Sequence, residues 1–259
     1  RFLYLPRKVN IIRLTNSQNC EIEYTKQLPR KFSVIIGHAY GSPNNKNNFL
    51  SKKVSTFLDS NLQFIENIFF TGDVFSNPTI TKWKKLNNIY GKNVNIFIAP
   101  GNHDIGIDNS YKKTIFEKSN NKFKKLPFKV ETNSFNIIFE DSVSNNWQIS
   151  KKTIELINKQ KKGKKVLLLR HNIPVKEFVA LSNSEAGYEG NLLSKKALNK
   201  LIKNEILIIS GDGGAFSNLP RIYCNKFEKL TFLINGIGEV NGDSLIILNE
   251  DSIQRYNLD

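Results

Sequence analysis

Three histidines occur in 259 residues, and each lies at the end of an apolar run beside glycine or a polar residue. His38 ends Ser33-Val34-Ile35-Ile36-Gly37-His38, His103 lies in Pro100-Gly101-Asn102-His103-Asp104, and His171 ends Leu167-Leu168-Leu169-Arg170-His171. Imidazole is the commonest metal ligand and the usual acid or base near neutral pH. Two further junctions carry Gly72-Asp73 and Gly211-Asp212-Gly213-Gly214. Oxygen and nitrogen donors arriving from several strand ends can surround a hard or borderline divalent cation. Glycines beside them let the backbone turn sharply. Taken singly, Gly-Asp after a strand is ordinary turn chemistry, and a lone strand-end histidine is more often structural. The run Gly101-Asn102-His103-Asp104 says more, because amide oxygen, imidazole and carboxylate follow one another after an apolar stretch. A carboxylate beside an imidazole can orient it and raise its basicity for acid–base work.

Such donors meet only if the elements behind them deliver strand ends to one place. Apolar, β-branched runs predict strands at Phe32–Gly37, Ile68–Thr71, Val94–Ala99, Phe135–Glu140, Val166–Arg170, Ile206–Ile209, Leu230–Asn235 and Ser244–Asn249. Polar stretches between them predict helices over Asn47–Glu66, Thr79–Tyr90, Ser150–Gln160 and Ser194–Lys203, with Thr79 and Ser194 as N-caps. The segment Asn10–Tyr24 reads as an extra hairpin or edge strand within an N-terminal extension, residues 1–31. Strands and helices alternate early and strands crowd the last third, which points to an α/β fold with two sheets. In open α/β sheets, loops at the carboxyl ends of strands converge on one crevice. No Pro/Gly/Ser-rich linker or repeat divides the chain, so residues 1–259 read as a single domain.

Composition narrows the class. No apolar stretch reaches the ~18 residues of a membrane span. The net charge of +15 admits nucleic acid, anionic surfaces or anionic substrates as partners. Much of it is lysine mixed with asparagine in expected loops and helix ends, as in Asn120-Asn121-Lys122-Phe123-Lys124-Lys125, where a solvated face accounts for it. Cys20 and Cys224 are far apart and form no CxxC pattern. They read as two unpaired thiols in a reducing cytoplasm.

The ordered set Gly72-Asp73, Gly101-Asn102-His103-Asp104 and His171 resembles the calcineurin-like metallophosphoesterase superfamily, over about Phe32 to Asn249. The resemblance implies a four-layer α/β/β/α sandwich of two mixed sheets. It also implies a dinuclear metal site at the strand ends and hydrolysis of phosphomonoesters or phosphodiesters. Carried over, Asp73 would bridge both metals, Asn102 and His171 would bind the second, and His103, supported by Asp104, would face the scissile phosphate. The sequence departs from the family twice. Where the family has Asp-x-His, this chain has His38-Ala39-Tyr40. Where the family closes with Gly-His-x-His, it has Gly211-Asp212-Gly213-Gly214. Asp212 can replace one lost imidazole by a carboxylate oxygen, and His38 can bind a metal, as can Tyr40 if a Lewis acid lowers its phenol pKa. His38 and Asp212 then form an imidazole and a carboxylate exchanged in position. The cofactor implied is one or two divalent ions, drawn from Mn, Fe, Zn or Mg.

Arg170 and Arg221 flank the metal junctions and are candidates for gripping phosphate, against the plainer reading of ion pairs. The polar loop Ser182–Asn191 has the length of a substrate rim, or of a plain connection. Three functions stay open: a metal-dependent phosphoesterase with an atypical, even mononuclear site; an inactive scaffold keeping the fold; and a nuclease. The first is preferred, because drift after loss of function gives no reason to keep Asp73, Asn102, His103, Asp104 and His171 together.

Overall fold

The computed structural model describes residues 18–44, 47–107, 110–120, 125–160, 163–174, 193–215, 222–250 and 252–258. The described strands form two mixed sheets. The five-stranded sheet is ordered β12 (Ser252–Asn257), β11 (Ser244–Asn249), β2 (Phe32–Ile36), β3 (Ile65–Phe70), β4 (Asn95–Ile98). The seven-stranded sheet runs β1 (Gln18–Asn19), β9 (Ile222–Phe227), β10 (Leu230–Asn235), β8 (Ile206–Ser210), β7 (Lys165–Arg170), β6 (Phe135–Phe139), β5 (Phe128–Glu131). β2, β3 and β4 are parallel, as are β6, β7, β8 and β10.

Successive side chains of a strand point to opposite faces, and that alternation builds the layers. Ile35, Phe69, Ile246 and Leu248 of one sheet share an inter-sheet core with Ile137, Phe139, Leu167, Leu169 and Leu233 of the other. Their neighbours Val34, Ile36, Ile68 and Phe70 turn outward against Val54 and Leu58 of α1 (Lys52–Asn61), Trp83 of α2 (Ile80–Ile89) and Phe116 of α4 (Ser110–Ser119). On the far face, Leu168, Ile208 and Phe232 receive Ile157 of α5 (Lys151–Asn158) and Leu198 and Leu201 of α6 (Lys195–Leu201). The result is the expected α/β/β/α sandwich. Burying one Leu- or Phe-sized side chain contributes about 1.5–3 kcal/mol before entropy is subtracted, so three continuous clusters leave the strand ends few alternative positions.

Local signals set most boundaries. Thr79, Ser150 and Ser194 cap α2, α5 and α6 by accepting the backbone N–H of Lys82, Thr153 and Ala197. The helix expected over Asn47–Glu66 is shorter. It starts after Ser51, whose hydroxyl accepts the Val54 N–H, and tightens into a 3-10 turn at Leu62–Phe64, because Ile65 already belongs to β3.

The cysteines overturn their sequence reading. Cys20 and Cys224 are joined in a disulfide, with Cα atoms 5.1 Å apart across 204 residues of sequence. Antiparallel pairing of β1 with β9 brings them together, and the Cys20 N–H donates to the Cys224 carbonyl at 3.2 Å. Spacing along the chain carries no trace of that pairing. Among the described residues no helix is long and apolar enough to cross a membrane.

Candidate metal centre

Five parallel strands end at one edge and each delivers one part of the site. β2 leads to His38, β3 to Asp73, β4 to the short helix α3 (Asn102–Ile105), β7 to His171, and β8 to a 3-10 turn, Asp212–Ala215. Matching register (Ile36 beside Phe70 beside Ile98, and Arg170 beside Ser210) sets these ends level. A bond from the Ile237 N–H to the Gly37 carbonyl, 3.0 Å, ties the two sheets together there. His38 and Asp73 both adopt left-handed backbone, φ 51° and 55°. Non-glycine residues hold that conformation at a cost of roughly 1–3 kcal/mol each, and it clusters at functional sites.

Asp73 sits at the centre, 1 % exposed. Its Oδ1 accepts the His103 N–H at 3.0 Å and faces His171 Nε2 at 3.4 Å. Its Oδ2 faces His38 Nε2 at 3.5 Å and His103 Nε2 at 4.0 Å. The close approach of the Asn102–Asp104 loop needs glycine: a Cβ on Gly101 would lie 2.1 Å from Asp73 Oδ1.

The two buried imidazoles are oriented in the same way. His171 Nδ1 lies 3.2 Å from the Thr71 carbonyl, and His38 Nδ1 lies 2.7 Å from the Gly41 carbonyl. Each bond places the ring proton on Nδ1 and turns Nε2 toward the carboxylates. Around His171 Nε2 stand three oxygens: Asn102 Oδ1 at 3.0 Å, Asp73 Oδ1 at 3.4 Å and Asp212 Oδ1 at 3.5 Å. Burial alone would lower the His171 pKa, but Asp73, Asp212 and Asp104 outweigh it and raise it. For His38 burial wins over Asp73 and Asp212, and its pKa is lowered. Burial would raise the Asp73 pKa, yet His171, His38 and His103 bring it below the usual carboxylate range.

This donor set fits a divalent cation. A neutral His38 presents a lone pair toward a carboxylate 3.5 Å away, a contact that repels unless positive charge lies between them. His38, Asp73 and Asp212 each offer one donor atom, all within 4.8 Å of one another, and all three residues are buried. Imidazole with carboxylate suits borderline metals.

His38 also explains a departure in the sequence. A Cβ built on Gly214 would lie 2.7 Å from His38 Cβ and 2.8 Å from its Cγ. Where Gly214 carries no side chain, the adjoining space is taken by the His38 side chain that follows β2.

Tyr40 lies between two imidazoles, its ring 4.4 Å from His38 and 5.4 Å from His103 by centroid. Burial first, then Asp73 and Asp212, push its phenol pKa up, so the hydroxyl stays neutral in the metal-free protein. Asp104 does not orient His103. Its carboxylate accepts N–H bonds from Val74 at 3.0 Å, Phe75 at 3.4 Å and Gly101 at 3.0 Å, stitching the Asp73 loop to α3. Burial, then Asp73, pushes its pKa up to about 7 against those donors. The His103 ring is held instead by the Ser76 carbonyl, 3.0 Å from Nδ1. Its side chain is 40 % exposed, against 1 % for His38 and 0 % for His171. It is thus the imidazole open to an incoming molecule.

Arg170 is not placed to grip phosphate from solvent. Its side chain is fully buried, paired with Glu140 at 3.2 Å, and it donates to Asn172 Oδ1 and to the Trp147 carbonyl at 2.6 Å. Arg221 and the Ser182–Asn191 loop lie outside the described residues.

A pocket of about 220 Å³ opens over Asp73, Asn102, His103 and Asp212. Larger hollows of about 660 and 520 Å³ lie elsewhere, and among their described lining residues neither gathers imidazoles. Sequence reasoning missed Trp147 and Ile107, which also line the site pocket. Neither belongs to a motif, and only the fold brings them to the rim.

Residues 57–212 match the calcineurin-like phosphoesterase family, and that stretch holds Asp73, the Asn102–Asp104 run, His171 and Asp212. The chain belongs to the calcineurin-like phosphoesterases. No curated protein matches it. That membership supports a phosphoesterase-type function and implies phosphate esters as substrates. Of the two departures from the family pattern, His38 lies outside the matched stretch and Asp212 is its last residue.

Proposed function

We propose that this calcineurin-like phosphoesterase hydrolyses phosphomonoesters or phosphodiesters at a rebuilt site with two cation positions. The carrying observation is the division of Asp73, whose Oδ2 faces His38 and whose Oδ1 faces His171. One position would be held by His38, Asp73 and Asp212, the other by His171, Asn102, Asp73 and Asp212. Of the carboxylate and three imidazoles in the two altered family motifs, the carboxylate and one imidazole recur here on exchanged strands, which keeps the negative charge of the site. Bound divalent ions, among Mn, Fe, Zn and Mg, would supply Lewis acidity toward phosphate oxygens and an activated water.

His103 is the acid–base residue in this reading. With Nδ1 donating to Ser76, its Nε2 faces the pocket and, when protonated, can hand a proton to the departing alkoxide. Asp73, 4.0 Å away, stabilises the imidazolium. Asp104 is a positioning residue that fixes the Asp73 and Asn102 loops against each other. Tyr40 keeps the two imidazoles apart as a neutral phenol rather than serving as a ligand. The nuclease reading gains nothing from the site, whose described lining holds no lysine or arginine. The Cys20–Cys224 disulfide supports an oxidising compartment over the reducing cytoplasm.

The test is hydrolysis of an aryl phosphate and a bis-aryl phosphodiester with Mn²⁺, Fe²⁺, Zn²⁺ and Mg²⁺ in turn. Turnover with at least one pairing is expected. His103→Asn should lower kcat by roughly 10²–10⁴-fold, the range of general acid–base contributions, with metal content unchanged. Silence of the wild-type protein with every metal and both esters would refute the proposal.

A further inference from the structure

The site pocket has two characters. Its floor is polar, formed by Asp73, Asn102, His103 and Asp212, while part of its rim is apolar, formed by Trp147 and Ile107. Ile107 is 62 % exposed, and Trp147 rests one side on the core beneath the five-stranded sheet while another part lines the pocket. Apolar surface left open beside a charged floor marks a place where a ligand's own apolar part can shed water.

The backbone at Trp147 is unusual. Asn146 and Trp147 are consecutive left-handed residues, φ 50° and 64°. Positive φ at a bulky side chain is a steric outlier that persists only where its surroundings over-determine it. Here they do. The Trp147 N–H donates to the Ser142 carbonyl at 2.8 Å, and the Trp147 carbonyl accepts from Arg170 at 2.6 Å. Arg170 is itself fixed by Glu140 and Asn172, all three residues being fully buried. A buried ion pair is poor as a source of stability, because desolvation consumes most of its attraction. As a strut it has a clear consequence: the strand end that delivers His171 to the floor also holds Trp147 on the rim.

We propose that Trp147 is a specificity-determining residue whose indole stacks on a flat aromatic ester group, so that aryl-bearing phosphoesters are the preferred substrates. This rests on the phosphoesterase reading above. The phosphoryl group would meet the polar floor while the ring of the esterified alcohol lies along Trp147, with Ile107 flanking it. Trp83, the chain's other tryptophan, is fully buried on the inner face of α2, so fluorescence changes on ligand binding report on Trp147.

The experiment titrates Zn²⁺-loaded protein with phenylphosphonate and with methylphosphonate, neither of which can be hydrolysed, using calorimetry and tryptophan fluorescence. Phenylphosphonate should bind about tenfold more tightly, the effect of one aromatic stacking contact, and should alter the emission. Trp147→Ala should remove that preference, bringing the ratio of the two affinities to about one, and Trp147→Phe should restore most of it. Equal affinity for the two probes, or a preference that survives in Trp147→Ala, would overturn the inference and leave the phosphoesterase reading intact. Failure of the wild-type protein to bind either probe when loaded with Mn²⁺, Fe²⁺, Zn²⁺ and Mg²⁺ in turn would overturn both.

Discussion

Gly214→Ala isolates the exchanged ligand. The added methyl carbon would lie 2.2 Å from the Ile237 carbonyl oxygen and 2.7 Å from His38 Cβ, where ordinary contact begins at 3.4 Å. One neighbour is backbone and the other is the root of a side chain, so neither yields as a flexible tip would. The Ile237 carbonyl must retreat by about 1 Å or the His38 imidazole must swing aside; overpacking of this kind costs about 1–3 kcal/mol. At roughly 2–4 °C per kcal/mol for a chain near this size, the melting temperature should fall by about 2–12 °C. The functional effect should be sharper. A metal ligand tolerates displacement of only about 0.2 Å, so the position held by His38 should lose its cation while that of His171 keeps one. Metal analysis with equilibrium dialysis should then show stoichiometry falling from two to one. A Gly214→Ala variant with wild-type stoichiometry, affinity and melting temperature would refute both the clash and the assignment of His38 as a ligand.

Two further perturbations test other parts of the molecule. The disulfide closes a loop of 204 residues, for which the chain-entropy relation gives about 5 kcal/mol, an upper value for a native bridge. Reduction, or Cys20→Ser with Cys224→Ser, should therefore lower the melting temperature by as much as ~10–20 °C in calorimetry, and an unchanged transition would show that the bridge contributes no stability. The metal-free protein should also lose stability as pH rises from about 5 to 8. Burial pushes the Glu140 pKa up to about 7 against the pull of Arg170, and burial with Asp73 does the same to Asp104. A carboxyl group raised in the folded state stabilises below its unfolded pKa and loses that contribution as pH passes its folded value. His171, also raised, adds to the same slope, while His38, lowered by burial, opposes it; three groups against one keep the net fall. Thermal melts in chelator across that range check the sign, and a melting temperature that climbs from pH 5 to 8 would contradict it.

How much of this was legible in the sequence depended on whether a residue's task is local. The strands that carry His38, Asp73, His103, His171 and Asp212 were readable because each is a short apolar run closed by punctuating residues. Their convergence follows from a rule about carboxyl ends of parallel strands. Helix starts were readable where a single hydroxyl caps them, as at Thr79 and Ser194. α4 escaped because its apolar face is little more than Ile115 and Phe116 in a run of lysines and serines. β5 and β12 escaped because edge strands need only one neighbour and little apolar pattern. The disulfide was hidden by a sequence separation of 204, and the roles of Arg170 and Asp104 by geometry. Residue type offered Arg170 for a phosphate and Asp104 for an imidazole; only coordinates give both to the backbone of neighbouring loops.

The site gives that division a physical meaning. Motif positions describe which strand end supplies a donor, whereas a cation responds only to where the donor atom lies. His38 and Gly214 belong to different sheets and are 176 positions apart, yet a side chain on the second would occupy the space taken by the first. Under the reading proposed above, an imidazole could therefore move from one strand end to the other and still reach the same cation position, provided that glycine vacates the original position and a carboxylate remains nearby. Asp212 meets the second condition, lying with His38 and Asp73 inside the 4.8 Å group. Read along the chain, two family motifs are damaged. Read in space, His38 and Asp212 stand in one group around Asp73, and the left-handed backbone at His38 is local strain within that group.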